Sequence, residues 1–267
     1  MAIGGALLFL VSPRSAIAVI RDTRARRWVL IGAIGVFVYP LAFYSAMNLA
    51  GIAIGNVVAL GSGPVFAALL EWAIQRRTLS GRWLLSTATA VAGVALLAIG
   101  GRTDVAASAR LLPGIALGLL AGFAYALYTY CSSRALDRID IEAGGVEHGG
   151  RGVMGAMFGV GAIALTPVLL VTGSPLLQSS STVSIAGYLA LVPMFAAYLL
   201  FGYGLTYIRS SAATTITLLE PLVATVLAVL VVGERLAVLG WIGLGLILAG
   251  VAVLITARQP RRAHGGS

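Results

Sequence analysis

Residues 210–256 read SSAATTITLLEPLVATVLAVLVVGERLAVLGWIGLGLILAGVAVLIT. Two apolar segments flank a polar Gly233-Glu234-Arg235 turn. Each is about long enough to carry a helix across roughly 30 Å of hydrocarbon. Inside the first stands Glu220-Pro221. A carboxylate at membrane depth costs about 2.5–3.5 kcal/mol on insertion scales, and a proline removes a helical hydrogen bond. Two such costs side by side in an apolar segment require a compensating role.

The whole chain shares this character. It is 59% hydrophobic and 10% charged, with a mean hydropathy of +0.99. A soluble domain carries roughly 25% charged residues, so the composition specifies an all-α polytopic membrane protein. The net charge of +9 comes from 18 arginines and no lysine. In a soluble protein that balance would suggest nucleic acid. Here the arginines lie in short loops between apolar runs, the pattern of membrane orientation, and no nucleic-acid partner is expected. The expected partners are the lipid bilayer and a small-molecule substrate, with the chain a monomer or homodimer. Arginine without lysine, beside abundant Ala, Gly, Val and Leu, fits a GC-rich bacterial genome and hence a bacterial plasma membrane. The single cysteine, Cys131, excludes an intrachain disulfide.

Taken in order, residues 1–12 are apolar and stop at Pro13-Arg14. They lack the basic start of a signal peptide and are too short to span. Either the helix carries Arg14 and runs to Ile20, or Met1 falls inside a helix whose beginning is absent. Eight full spans follow, over 28–50, 52–74, 83–100, 111–134, 153–172, 185–207, 211–232 and 239–256. A polar loop covers 135–152, and residues 257–267 form a short basic tail. Loops on one side carry fifteen arginines; the other side carries only Arg102, Arg110 and Arg235. That asymmetry puts the C-terminus in the cytoplasm. Gly114, Gly118 and Gly122 recur at a spacing that lets helices approach closely.

The chain also repeats itself. At an offset of 157 residues, Pro64 falls on Pro221, Leu79 on Leu236, Gly93 on Gly250 and Val94 on Val251. The two copies face opposite ways by the arginine count. Inverted repeats of this kind are typical of secondary transporters, whose substrate site lies near the midplane between the halves. The repeats cover 1–100 and 111–256. The second copy's opening helix, 111–134, has no counterpart, and its next helix maps onto a start cut at Met1. The expected fold is therefore a ten-helix bundle lacking the first helix and part of the second.

The Glu-Pro step, the Gly-Glu-Arg-Leu turn and the Leu-Ala-Gly-Val ending at 248–251 resemble the last two helices of the EamA domain in the drug/metabolite transporter superfamily. Residues 59–72 and 90–97 look like its degenerate N-terminal repeat, departing at Gln75-Arg76-Arg77, where the family usually has Gly-Glu-Arg. The resemblance implies two inverted five-helix repeats around a central cavity. It also implies transport, often export, of small metabolites such as amino acids or drug-like compounds.

Candidate cavity residues follow from chemistry at membrane depth. Glu220 could exchange a proton, giving a possible proton coupling, or could simply hydrogen-bond between helices. Pro221 should leave the Thr217 carbonyl free as an acceptor. Thr214, Thr217 and Glu220 share a helix face at three-residue spacing. Glu71 either lines the cavity with Pro64 or reaches the loop arginines 76 and 77. Asn48 and Asn56 are intramembrane amides on helices joined by Gly51, with Tyr44 one turn before Asn48. Tyr203 and Tyr207 offer rings, although Tyr207 beside Arg209 could equally anchor the interface. Prolines 40, 64, 193 and 221 would soften the helices that gate the cavity.

No metal site is expected, since the acids and His148 of the 137–148 loop fit no ligand spacing. No cofactor is expected either. The sequence has no phosphate-cradling motif, and Gly243-Leu244-Gly245 lies inside an apolar helix. An intramembrane enzyme would need paired aspartates, or a histidine near Cys131, at that depth; neither is in the sequence, so the chain is not expected to be an enzyme. A truncated or accessory membrane protein without transport activity is the alternative.

Overall fold

A computed structural model describes residues 1–76, 80–100, 110–139, 145–227, 229–230 and 237–256. All regular structure among them is helical. Arg77, the Gly233-Glu234-Arg235 turn, Asp140, Glu142 and the tail at 257–267 lie outside the described residues. The chain forms two compact units. One comprises Met1–Pro40 and Leu127–Arg209; the other comprises Leu41–Ala126 and the chain from Ser210 onward. Each unit combines parts of both sequence repeats.

The first unit contains α1 (Ala2–Val11), α2 (Pro13–Arg21) and the first part of α3 (Thr23–Ala50). To these it adds the end of α6 (Leu111–Leu136), α7 (Gly145–Thr172), α8 (Ser180–Leu189) and α9 (Ala197–Leu205). The expectation of one helix running through Arg14 to Ile20 is corrected. The chain bends by 94° between α1 and α2, at Ser12, where Pro13 can start a helix but cannot continue one. Asp22 then starts α3, its carboxylate accepting from the Arg24 N–H at 2.7 Å. Tyr128 lies at the centre of the unit. It is fully buried, edge-on to Tyr39 and Phe158, and its hydroxyl is 2.7 Å from that of Tyr198. Between α8 and α9 the helix widens to a π segment, Ala190–Ala196, around Pro193. The Ala197 N–H reaches the Val192 carbonyl five residues back.

The second unit contains the end of α3, α4 (Ile52–Gln75), α5 (Gly81–Gly100) and most of α6. Its later elements are α10 (Ser210–Ile216), α11 (Leu219–Leu227) and α12 (Val238–Thr256). The turn from α3 to α4 needs Gly51, whose φ of 88° would strain any side chain.

α5 and α12 pack at backbone contact. A methyl on Gly93 would lie 2.6 Å from the Gly243 carbonyl oxygen and 2.8 Å from the Ile247 nitrogen. One on Gly250 would meet the Ser86 oxygen at 2.7 Å and the Ala90 nitrogen at 2.8 Å. Gly93 and Gly250 are 157 residues apart, as are Ser86 and Gly243, and Ala90 and Ile247. The offset that relates the two sequences thus exchanges the two sides of this contact. As numbering rises along α5 it falls along α12, so the repeat-related helices run antiparallel. Ser86 Oγ donates to the Gly250 carbonyl at 2.5 Å and adds a hydrogen bond across the seam.

Five described helices are long and apolar enough to cross a membrane, and the bent α1–α2 pair could count as a sixth. The span expected over 211–232 is not one helix. It breaks at Thr217-Leu218, between α10 and α11. The cause is a run of threonines acting together with Pro221. Thr214, Thr215 and Thr217 each turn a hydroxyl back onto a carbonyl three or four residues earlier, which competes with the helical ladder. The backbone then tightens, Leu218 N–H reaching the Thr215 carbonyl and Glu220 N–H that of Thr217. Pro221 falls in the first turn of α11, where its missing N–H costs little. The first repeat has Val57, Val58 and Leu60 at the corresponding positions, and α4 runs unbroken through Pro64.

Candidate functional site

α10 is only seven residues long, yet six of them are buried (Ser210 to Thr215), four of these being hydroxyl residues. Polar side chains in such a place must find partners, and α10 finds them on three neighbouring helices. Glu71 of α4, 4% exposed, takes the start of α10. Its Oε1 accepts from Ser210 Oγ at 2.6 Å and from the Ser211 N–H at 2.9 Å. Its Oε2 accepts from Ser211 Oγ at 2.9 Å. One turn on, Thr215 meets Thr87 of α5 at 3.1 Å. At the break, Thr217 Oγ1 lies 2.6 Å from the Tyr125 hydroxyl of α6. The result is a polar ladder through an otherwise apolar unit, ending where the helix breaks.

Tyr125 also links the two prolines. A methyl on Gly63 would lie 2.9 Å from the ring of Tyr125, so a side chain before Pro64 is excluded by the ring. The second repeat carries Glu220 at the matching position. The Glu220 side chain is exposed, beside the break, and makes no hydrogen bond or ion pair to a described residue. The expectation that Pro221 frees the Thr217 carbonyl is corrected, because the Glu220 N–H occupies that oxygen at 2.9 Å. Glu71 is likewise bonded to α10 and not to Arg76. Removing the Tyr125 hydroxyl with Tyr125→Phe should cost about 1 kcal/mol of stability. A melting midpoint equal to wild type in detergent would show that the Thr217 contact contributes nothing.

The pattern of the EamA-like transporter family matches residues 112–256. The chain belongs to this family. It is thus an EamA-domain protein of the drug/metabolite transporter superfamily and a multi-pass membrane protein. An uncharacterized transporter of Bacillus subtilis, YwfM, is 32% identical over 97% of this chain and 83% of its own length. An uncharacterized transporter of Archaeoglobus fulgidus is 28% identical over 76% of this chain and 66% of its own. A protein solved by crystallography shares the fold, with a TM-score of 0.75 at 20% identity, over 94% of this chain and 83% of its own.

In this EamA chain, nine of the ten residues singled out from sequence lie in the second unit: Glu220, Pro221, Thr217, Thr214, Asn48, Asn56, Tyr44, Glu71 and Pro64. Tyr203 lies in the first unit, half-exposed, accepting a hydrogen bond from Tyr207 at 3.2 Å. Thr217 and Glu71 join the polar ladder, whereas the Thr214 hydroxyl donates to the Ser210 and Ser211 carbonyls of its own helix. Pro64 and Pro221 are buried, whereas Tyr44 and Asn48 are exposed one turn apart. Ser210, Ser211, Thr215, Thr87 and Tyr125 escaped notice from sequence. The clustered hydroxyls of SSAATTIT were the available signal for the first three. Among the described residues no group of His, Cys, Asp and Glu could hold a metal ion.

Proposed function

We propose that this chain is a secondary transporter that exports small organic metabolites, such as amino acids or drug-like solutes, by alternating access. The membrane is the bacterial plasma membrane and the C-terminus is cytoplasmic, on the strength of the arginine asymmetry. The two repeats, 1–100 and 111–256, supply the inverted halves. The observation that carries the reading is the broken helix α10–α11, which sets an exposed Glu220 one residue past its first helical position. Transporters use discontinuous helices to present substrate and coupling-ion sites, and a carboxylate at membrane depth is expensive unless it is used. Glu220 takes up and releases the coupling proton in this scheme; Asn48, Asn56 and Tyr44, in the same unit, provide polar and aromatic contacts for the solute.

The test is transport by the purified protein in proteoliposomes, with wild type beside Glu220→Gln. Wild type should accumulate labelled amino acid when a pH gradient is imposed, and the variant should lose at least about tenfold of that rate. Counterflow without a gradient should survive in the variant, because exchange needs no net proton movement. Gradient-driven transport unchanged in Glu220→Gln would refute the proton role.

A further inference from the structure

We propose that the basic end of the first unit holds the phosphate of an anionic phospholipid headgroup, at a site built from Arg27, Trp28 and Arg134. Both guanidiniums lie against one indole. Arg27 Cζ is 5.2 Å and Arg134 Cζ 5.4 Å from the centre of the Trp28 ring, which is itself held edge-on to Tyr130. Two like charges held on one ring repel each other, a cost that a bound anion lowers. Two donors of this cluster, Trp28 Nε1 and Arg134 Nε, are buried without an acceptor among the described residues. Buried donors without partners are rare, and a phosphate oxygen would satisfy them. Arg27 is exposed, so its guanidinium is within reach of a headgroup from outside.

Exposed arginines flank this cluster in sequence, on α2 and at the start of α3. α2 turns 94° away from α1 and packs Ser15 against Gly152 at the start of α7. Ala16 and Val19 are buried beneath it, while Arg14, Ile17 and Arg21 are exposed. α2 thus turns its small apolar residues onto the protein and two arginines outward. The two described acids close by are already engaged. Asp22 caps α3, and Asp137 pairs with Arg134 at 3.2 Å through one terminal nitrogen, with Arg134 Nε left unpaired among the described residues. Paired guanidiniums beside a tryptophan near helix ends are the chemistry that recognises anionic lipid headgroups.

The full chain in vesicles, quenched by acyl-brominated phosphatidylglycerol or phosphatidylcholine, reads this directly. The signal is the quenching lost in Trp28→Phe. Phosphatidylglycerol should be preferred, and Arg27→Gln and Arg134→Gln should each lower the preference about fivefold. Arg24→Gln, an exposed arginine outside the stack, should change it by less than about twofold. Asp137→Asn frees a donor of Arg134 and should raise the preference, a gain that misfolding cannot mimic. Equal losses from Arg24→Gln and Arg27→Gln would mean diffuse surface charge and overturn the site. Displacement of the lipid by inorganic phosphate, at ionic strength matched with chloride, would make it a soluble-anion site and overturn the lipid assignment. Lipid binding is measured without transport, so this result stands or falls apart from the function of Glu220.

Discussion

Replacing Glu71 by alanine should destabilise the folded protein by about 3 kcal/mol or more. The carboxylate accepts three hydrogen bonds at 2.6–2.9 Å from Ser210 and Ser211, all of them buried. Alanine removes every acceptor at once and leaves the Ser211 N–H facing apolar surroundings at the start of α10. The serine hydroxyls can rotate toward other oxygens; the backbone N–H cannot. Glu71→Gln keeps one acceptor oxygen for that N–H, and its amide can donate to Ser211 Oγ, so it should cost only about 1 kcal/mol. Ser211→Ala should fall near the same value, since it loses one bond of the three. Thermal and denaturant unfolding in detergent, followed by size exclusion, would rank the variants. If Glu71→Ala melted no lower than Glu71→Gln, the clamp on α10 would not be a source of stability.

That clamp was the part of the site least visible in the sequence. The helices were legible because apolar length and arginine placement are local properties, and the repeat was legible because Pro64 and Pro221 keep their spacing to the Ala-Gly-Val steps. Glu71 was different. Its partners lie 139 and 140 residues away, and sequence proximity pointed instead to the arginines next to it. Tyr125 was hidden in a helix noticed only for its glycines, although the ring that crowds Gly63 explains why the first repeat has no side chain before its proline. The break in the last proline helix was half legible. Proline predicted a free carbonyl at Thr217, but the threonine hydroxyls upstream loosened the ladder, the helix broke at Thr217-Leu218, and the Glu220 N–H took that carbonyl. Local chemistry of that kind is written in SSAATTIT, and only the packing around α10 decides which of the competing bonds wins.

Large structural penalties should also come from the smallest residues. Gly93→Ala and Gly250→Ala should each cost about 2–3 kcal/mol, the range for forcing an extra carbon into close packing. The atoms in the way are backbone oxygen and nitrogen at 2.6–2.8 Å, not the ends of flexible side chains. α5 and α12 would have to move apart along their whole contact, and Ser86 Oγ would lose its bond to the Gly250 carbonyl. Gly245 on α12 is the internal control, because a methyl there meets nothing within 4 Å. Gly245→Ala should be neutral, or more stable by about 0.5–1 kcal/mol through the better helix former. The double variant decides whether the contact is one pseudo-symmetric unit. Once either alanine has spaced the helices, the second meets less resistance, so the two costs should sum to more than the double variant loses. Unfolding midpoints of the four proteins in one detergent give that comparison. Strict additivity, or a loss confined to one of the two glycines, would mean that the contact is not shared by the repeats in the way their common offset of 157 residues requires.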